Sequence, residues 1–202
     1  MTVNVEELEL KDRLSLIESM IAAGRRGTES WGWSFVLWGV AYYIAIAWST
    51  WGRSALAWPV TMIAAGALTG VIASWQVRNQ PKTTIGRAIA SVWIAMGISM
   101  FVLFASLGFS GRLVDQVGQN AFIAVIAAML GTANATSSMI LKWKQQFACA
   151  MVWWAAAVAS CFGTVTQSSI AFLVAIFLCQ IVFGSYAMFC EARRNKQGAT
   201  HA

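Results

Sequence analysis

The chain has 202 residues, of which 58% are hydrophobic and only 11% charged, where a soluble domain carries roughly 25% charged residues. That balance excludes a water-soluble globular protein. The formal net charge of +6 does not mark a nucleic-acid-binding surface, because the basic residues fall in short stretches between apolar runs, as they do in membrane proteins.

Residues 1–27 read as a cytoplasmic amphipathic helix ending in a hinge. Asn4 followed by Glu7 fits a capping pattern. From Leu10 onward Leu10, Leu14, Leu16, Ile17, Met20 and Ile21 fall in one half of a helical wheel and Lys11, Asp12, Ser15, Glu18 and Ser19 in the other, with Arg13 intruding on the apolar side. Gly24-Arg25-Arg26-Gly27 reads as the hinge. Five carboxylates, Glu6, Glu7, Glu9, Asp12 and Glu18, and the lack of a basic segment leading an apolar core argue against a cleavable signal peptide. The stripe of Leu10, Leu14, Ile17 and Ile21 is expected to dock on an apolar partner: the basic end of its own bundle, a second subunit or another protein. Anionic lipid is a poor partner for so acidic a helix, since lipid-surface helices are usually rich in Lys and Arg.

Residues 28–190 contain six charge-free apolar runs: Trp31 to Trp51, Ala55 to Trp75, Ala88 to Gly108, Asn120 to Ile140, Phe147 to Gly163 and Ser169 to Phe189. Each is close to the roughly 20 residues a helix needs to cross about 30 Å of hydrocarbon. They are expected to be helices, since an unpaired backbone group has no partner in lipid and the alternating pattern of a barrel is absent. Short connections predict antiparallel neighbours, giving an all-α membrane fold of three helical hairpins. Lys11, Arg13, Arg25, Arg26, Arg78, Lys82, Arg87, Lys142, Lys144, Arg193, Arg194 and Lys196 fall on one side, against Arg53 and Arg112 on the other. Basic residues favour the cytoplasmic side, so both ends are expected there, residues 191–202 forming a basic tail. The absence of any sizeable outer domain points to a bacterial inner membrane.

Inside the runs, small residues four apart predict close helix contacts: Gly66, Gly70 and Ser74 in the second, Ala127, Gly131 and Ala135 in the fourth. Trp31, Trp33, Trp75 and Trp143 are expected as anchors at the inner interface and Trp48, Trp51 and Trp58 at the outer, with Trp38, Trp93, Trp153 and Trp154 deeper. The most polar stretch, Gly131 to Ser138, forms no single polar stripe: Thr132 and Thr136 share a face from which Asn134 points away. Thr132, Asn134, Thr136 and Gln180 are the candidate intramembrane polar contacts, with Gln180 the natural partner for Asn134.

No Asp, Glu, Lys, Arg or His interrupts the runs, which argues against a proton relay, a voltage sensor or a carboxylate-coupled transporter. The single histidine, His201, rules out a bis-histidine haem or a histidine-built metal site. Cys149, Cys161, Cys179 and Cys190 form no C-x-x-C pair and read as packed thiols. No phosphate loop or Asp cluster is present. No catalytic residue, cofactor, metal or nucleic-acid partner is expected. The expectation is a non-enzymatic accessory or regulatory scaffold; the rival is a passive channel or carrier for a small uncharged solute, lined by Thr132, Asn134, Thr136 and Gln180.

Overall fold

The apolar runs emerge as helices because intrahelical bonding is how a continuous chain satisfies its backbone in lipid. The computed structural model describes residues 5–29, 31–54, 56–77, 84–109 and 116–199, and every element among them is helical. In chain order these are α1 (Val5–Glu29), α2 (Gly32–Trp51), α3 (Ala57–Val77), α4 (Thr84–Phe109), α5 (Gln116–Leu141), α6 (Lys144–Phe162), α7 (Val165–Ile176) and α8 (Phe183–Ala199). A π-helical stretch, Phe177–Val182, joins α7 to α8 as one rod. Six spans are long and apolar enough to cross a membrane: Gly32–Trp51, Ala57–Trp75, Thr84–Leu107, Gly118–Leu141, Lys144–Phe162 and Val165–Arg194. The expected Asn4 cap, Lys82, Arg112, His201 and the side chain of Ile21 lie outside the described residues.

Local chemistry sets the turns. Helix α2 closes with the Gly52 N–H donating to the Trp48 carbonyl at 2.9 Å, and Arg53 then turns the chain at a φ of 45°. Pro59 sits in the first turn of α3, where a missing N–H is harmless. At the α5–α6 turn Lys142 adopts a φ of 50°, and the Trp143 N–H reaches back to the Ser138 carbonyl at 3.0 Å, a left-handed cap of the kind glycine usually makes. Between α6 and α7, Thr164 and Gln167 form a reciprocal capping box. The Asn120 amide donates to the Gly163 carbonyl at 3.0 Å and ties that turn to α5.

The packing does not divide into self-contained hairpins. The most extensive contact is between α5 and α6, which the three-hairpin reading assigns to different units, and α2 packs on both α3 and α8. The interior is formed by α2, α5, α6 and the α7–α8 rod, whose buried residues include Phe35, Leu130, Trp153, Phe172, Ile176 and Phe183. Helix α3 leans on this interior through α2, and α4 through α5. Their exposure follows: over an 18-residue apolar window of each span, 11% of α3 and 6% of α4 is buried, against 56% of α5.

Two unit boundaries differ from expectation. Helix α1 runs unbroken through Gly24 to Gly27, so the expected hinge is absent. A glycine costs a helix only about 1 kcal/mol, and no proline stands there to end it. At the other end the basic residues 193, 194 and 196 belong to α8, which continues to Ala199, and do not form a separate tail.

Candidate functional site

Two features of the bundle stand out as candidates: the polar groups in its interior and the apolar stripe of α1.

The polar groups come from α5, α6 and the last rod. Asn134, Ser137, Ser138, Gln146, Ser160, Ser168 and Gln180 are all buried. Most of the hydroxyls are satisfied locally. Thr132 donates to the Ala128 carbonyl at 3.0 Å, Ser138 to Ala135 at 3.0 Å, Ser160 to Ala156 at 2.8 Å and Ser168 to Thr164 at 3.0 Å. Such back-bonding satisfies a hydroxyl in an apolar environment without a second helix. Ser137 differs in accepting the indole N–H of Trp93 at 3.2 Å, which links α5 to α4.

The expected Asn134–Gln180 pair does not form. Asn134 turns its amide N–H onto the Leu130 carbonyl of its own helix at 2.8 Å. The side-chain oxygens of Asn134 and Gln180 find no hydrogen-bond partner among the described residues. Nor do the four candidate polar residues line one surface. Thr132 is exposed and Thr136 half-buried, while Asn134 and Gln180 are 1% and 3% exposed. Two therefore look outward where two look inward, as expected from the roughly 100° between successive helical residues.

Small residues behave differently on the two helices. On α5, Ala127, Gly131 and Ala135 are buried, and a Cβ added at Gly131 would collide with the indole of Trp154 on α6. On α3, Gly70 and Ser74 are exposed and nothing among the described residues lies within 4 Å of a Cβ placed at Gly66 or Gly70, so this face meets no described helix. The helix turns its neighbouring stripe, Ala57, Thr61 and Ala65, inward instead.

A close contact absent from the sequence expectations joins α2 to the last rod. A Cβ on Gly32 would come within 2.9 Å of Ala187 and of the Gly184 carbonyl, and one on Gly39 within 2.8 Å of the Gln180 Cβ. Gly184 in turn lies against Phe35, Val36 and the Gly32 carbonyl. The available signal was the seven-residue spacing of Gly32 and Gly39, obscured by the tryptophans around it. Just beyond this crossing the Tyr43 hydroxyl donates to the Leu173 carbonyl at 2.9 Å, one turn before the π-helical stretch. That stretch carries Cys179 inward, where its thiol donates to the Cys149 carbonyl of α6 at 3.5 Å.

Gln146 falls in sequence between the fourth and fifth apolar runs. It is fully buried in the first turn of α6, and neither end of its amide has a hydrogen-bond partner among the described residues. Trp143, expected as an interfacial anchor, is 1% exposed and packs its ring 5.0 Å from that of Phe183. The burial of both follows from the tight left-handed turn at Lys142, which draws the start of α6 against the last rod. Trp48, Trp51 and Trp75 are exposed, as anchoring at a lipid–water boundary requires. An open groove of about 580 Å³ beside this turn is lined by Ser138, Met139, Lys142, Trp143, Lys144 and Phe147. Its volume falls within the range of small-molecule sites, but it lies open along the surface and would not bury a ligand as such sites do.

The second feature is α1. It touches α4, α5 and α8, but residues 9 to 20 are exposed throughout. Leu10 is 62% exposed, Leu14 53% and Ile17 53%. The expected docking of this stripe on the chain's own bundle is therefore not found. Without the hinge, α1 cannot turn its apolar side onto the helix ends. The ion pair of Arg13 with Glu9, at 2.6 Å, lies along the helix surface. The chain matches no family model, no curated protein and no solved structure.

Proposed function

We propose that this chain is a multi-pass protein of a bacterial inner membrane, with both ends in the cytoplasm, that acts as a non-enzymatic accessory or regulatory scaffold and presents α1 to a protein partner. The observation that carries this reading is the uncovered stripe of Leu10, Leu14 and Ile17. Apolar side chains repeated along one face of an exposed helix are the usual anchors of helix-mediated recognition. The orientation rests on the basic residues gathered at the end of the bundle from which α1 emerges.

The interior supports the scaffold reading over the solute path. Thr132 faces outward, Asn134 bonds within its own helix, and the inward amides are separated on different elements. The test places a photo-crosslinking residue at position 14 or, on the opposite side, at position 12, in native membranes. Adducts concentrated at position 14 are expected; equal yields at both positions would remove the basis of the proposal. For orientation, a cysteine at position 142 should be protected from an impermeant reagent in intact cells and one at position 53 labelled. The reverse pattern would invert the topology.

A further inference from the structure

The exposed stripe on α1 has the spacing of a coiled-coil seam. Leu10, Leu14, Ile17 and Ile21 are separated by four, three and four residues, which makes Leu14 and Ile21 a positions and Leu10 and Ile17 d positions of one heptad register. The seam is bounded in sequence by Glu7, the preceding a position, and Gly24, the following d position. Through this stretch the helix is continuous and residues 9 to 20 are uncovered.

The flanking charges decide what covers it. In this register Glu6 and Arg13 occupy g, and Lys11 and Glu18 occupy e. A parallel pair of helices brings each g position near the e position five residues later on its partner. Two copies of α1 then place Glu6 opposite Lys11 and Arg13 opposite Glu18, and the symmetry repeats both attractions. An antiparallel pair, with Leu14 facing Ile17, brings Lys11 near Glu18 but sets Arg13 near Met20. Between Glu6 and Ile21 the parallel arrangement uses every charge at e and g, and two copies inserted in the same sense send α1 out of the same face of the membrane. The Arg13–Glu9 pair is no obstacle: its side chains are 72% and 60% exposed, and such solvated pairs exchange at little cost.

We infer that the partner of α1 is a second copy of this chain, the two helices forming a short parallel two-stranded coiled coil. This rests on the reading of α1 as the contact arm and names its occupant. A seam this short is marginal for free peptides. Confinement of both bundles to one bilayer raises the effective concentration of the arms and lets a weak seam form.

The experiment uses the full chain in lipid nanodiscs or native membranes, with the four native cysteines replaced by alanine. Single cysteines are introduced as Leu14→Cys, Ile17→Cys or, off the seam, Leu16→Cys. Disulfide dimers of Leu14→Cys and Ile17→Cys are expected to form at least about tenfold faster than those of Leu16→Cys, since only seam thiols come within bonding range. Faster linking in a mixture of Leu14→Cys with Ile17→Cys than in either alone would establish an antiparallel pair and overturn the proposal.

A second measurement keeps the native cysteines and tests the charges. Arg13→Glu should reduce the dimer fraction by mass several-fold, and Arg13→Glu combined with Glu18→Arg should restore it. A monomeric parent, or a dimer indifferent to both changes, overturns the coiled coil. If position 14 links only to a different protein, self-association falls and the scaffold reading stands; if no preference for the seam appears at all, both fall.

Discussion

Helices α4 and α5 neighbour one another in sequence and in space, yet they are opposites. Over an 18-residue window, α4 has a mean hydropathy of 2.2 and is 6% buried; α5 has 1.5 and is 56% buried. In water the more apolar helix would form the core. In lipid the preference disappears, because hydrocarbon outside the bundle is as apolar as the side chains, and close packing and hydrogen bonding decide which helices take the interior. Helix α5 has the means for that: Ala127, Gly131 and Ala135 admit α6 closely, and Ser137 receives the Trp93 indole. Helix α4 spreads Ile94, Ile98, Phe101 and Val102 outward. Hydropathy alone does not rank burial, since the final span reaches the same 2.2 at 44% buried.

The strongest attempt to break this comparison deletes one large ring inside and one outside. Trp153 is fully buried against Phe172, with ring centroids 5.5 Å apart, whereas Trp75 is 72% exposed. Trp153→Ala is expected to destabilise the bundle by about 3–5 kcal/mol. Trp75→Ala should stay within about 0.5 kcal/mol. Unfolding in mixed micelles reads both; equal losses would mean that the two tryptophans occupy equivalent environments.

Adding bulk sharpens the same contrast. Gly184→Leu drives a side chain into Val36 and Phe35, and Gly131→Leu into Trp154, each at about 1–3 kcal/mol. Gly70→Leu starts from a Cβ position with nothing within 4 Å among the described residues and should change the unfolding midpoint little. A loss at Gly70 as large as that at Gly184 would show that α3 is covered by another molecule.

How much of this was legible in the sequence depends on the kind of information each feature needs. The six spans were, because a charge-free run of membrane length states its own solvent. Which small-residue face is buried was not: Gly66-x-x-x-Gly70 and Ala127-x-x-x-Gly131 read alike, and only the arrangement of whole helices leaves one open and closes the other. The inward pull on Trp143 and Gln146 was hidden because Lys142 occupies a left-handed cap position where glycine would have announced it. The seam of α1 was written in residue spacing, but whether the bundle covered it required the helix to be seen running straight through Gly24 and Gly27.

A single hydrogen bond gives a smaller test at the boundary between α2 and the last rod. Tyr43→Phe removes the donor to the Leu173 carbonyl while keeping the ring, and should cost about 1 kcal/mol. A change indistinguishable from zero would mean that the carbonyl is already satisfied by the Phe177 N–H, its helical partner.

The smallest effect is expected where the sequence is most polar. Asn134→Leu removes the donor to Leu130, worth about 0.5–1.5 kcal/mol, but it also removes a buried side-chain oxygen with no partner among the described residues. Leaving such a group unsatisfied costs about 1–3 kcal/mol, so the loss and the gain oppose one another. Asparagine and leucine share the same branching of side-chain heavy atoms, and the replacement makes the site compatible with the alanines around it. Asn134→Leu should therefore shift stability by no more than about 1 kcal/mol in either direction, far less than Trp153→Ala. The same reasoning applies to Gln180→Leu, whose side-chain oxygen is likewise unpartnered, although its Cβ already approaches Gly39 and a branched side chain adds some strain there. Both variants should leave the permeability of reconstituted vesicles to small uncharged solutes unchanged, because Thr132 and Thr136 face away from these amides and no common lining joins them. A well-folded Asn134→Leu protein that abolished a permeability present in the parent would show that Asn134 lines a path, and would replace the scaffold reading with the channel.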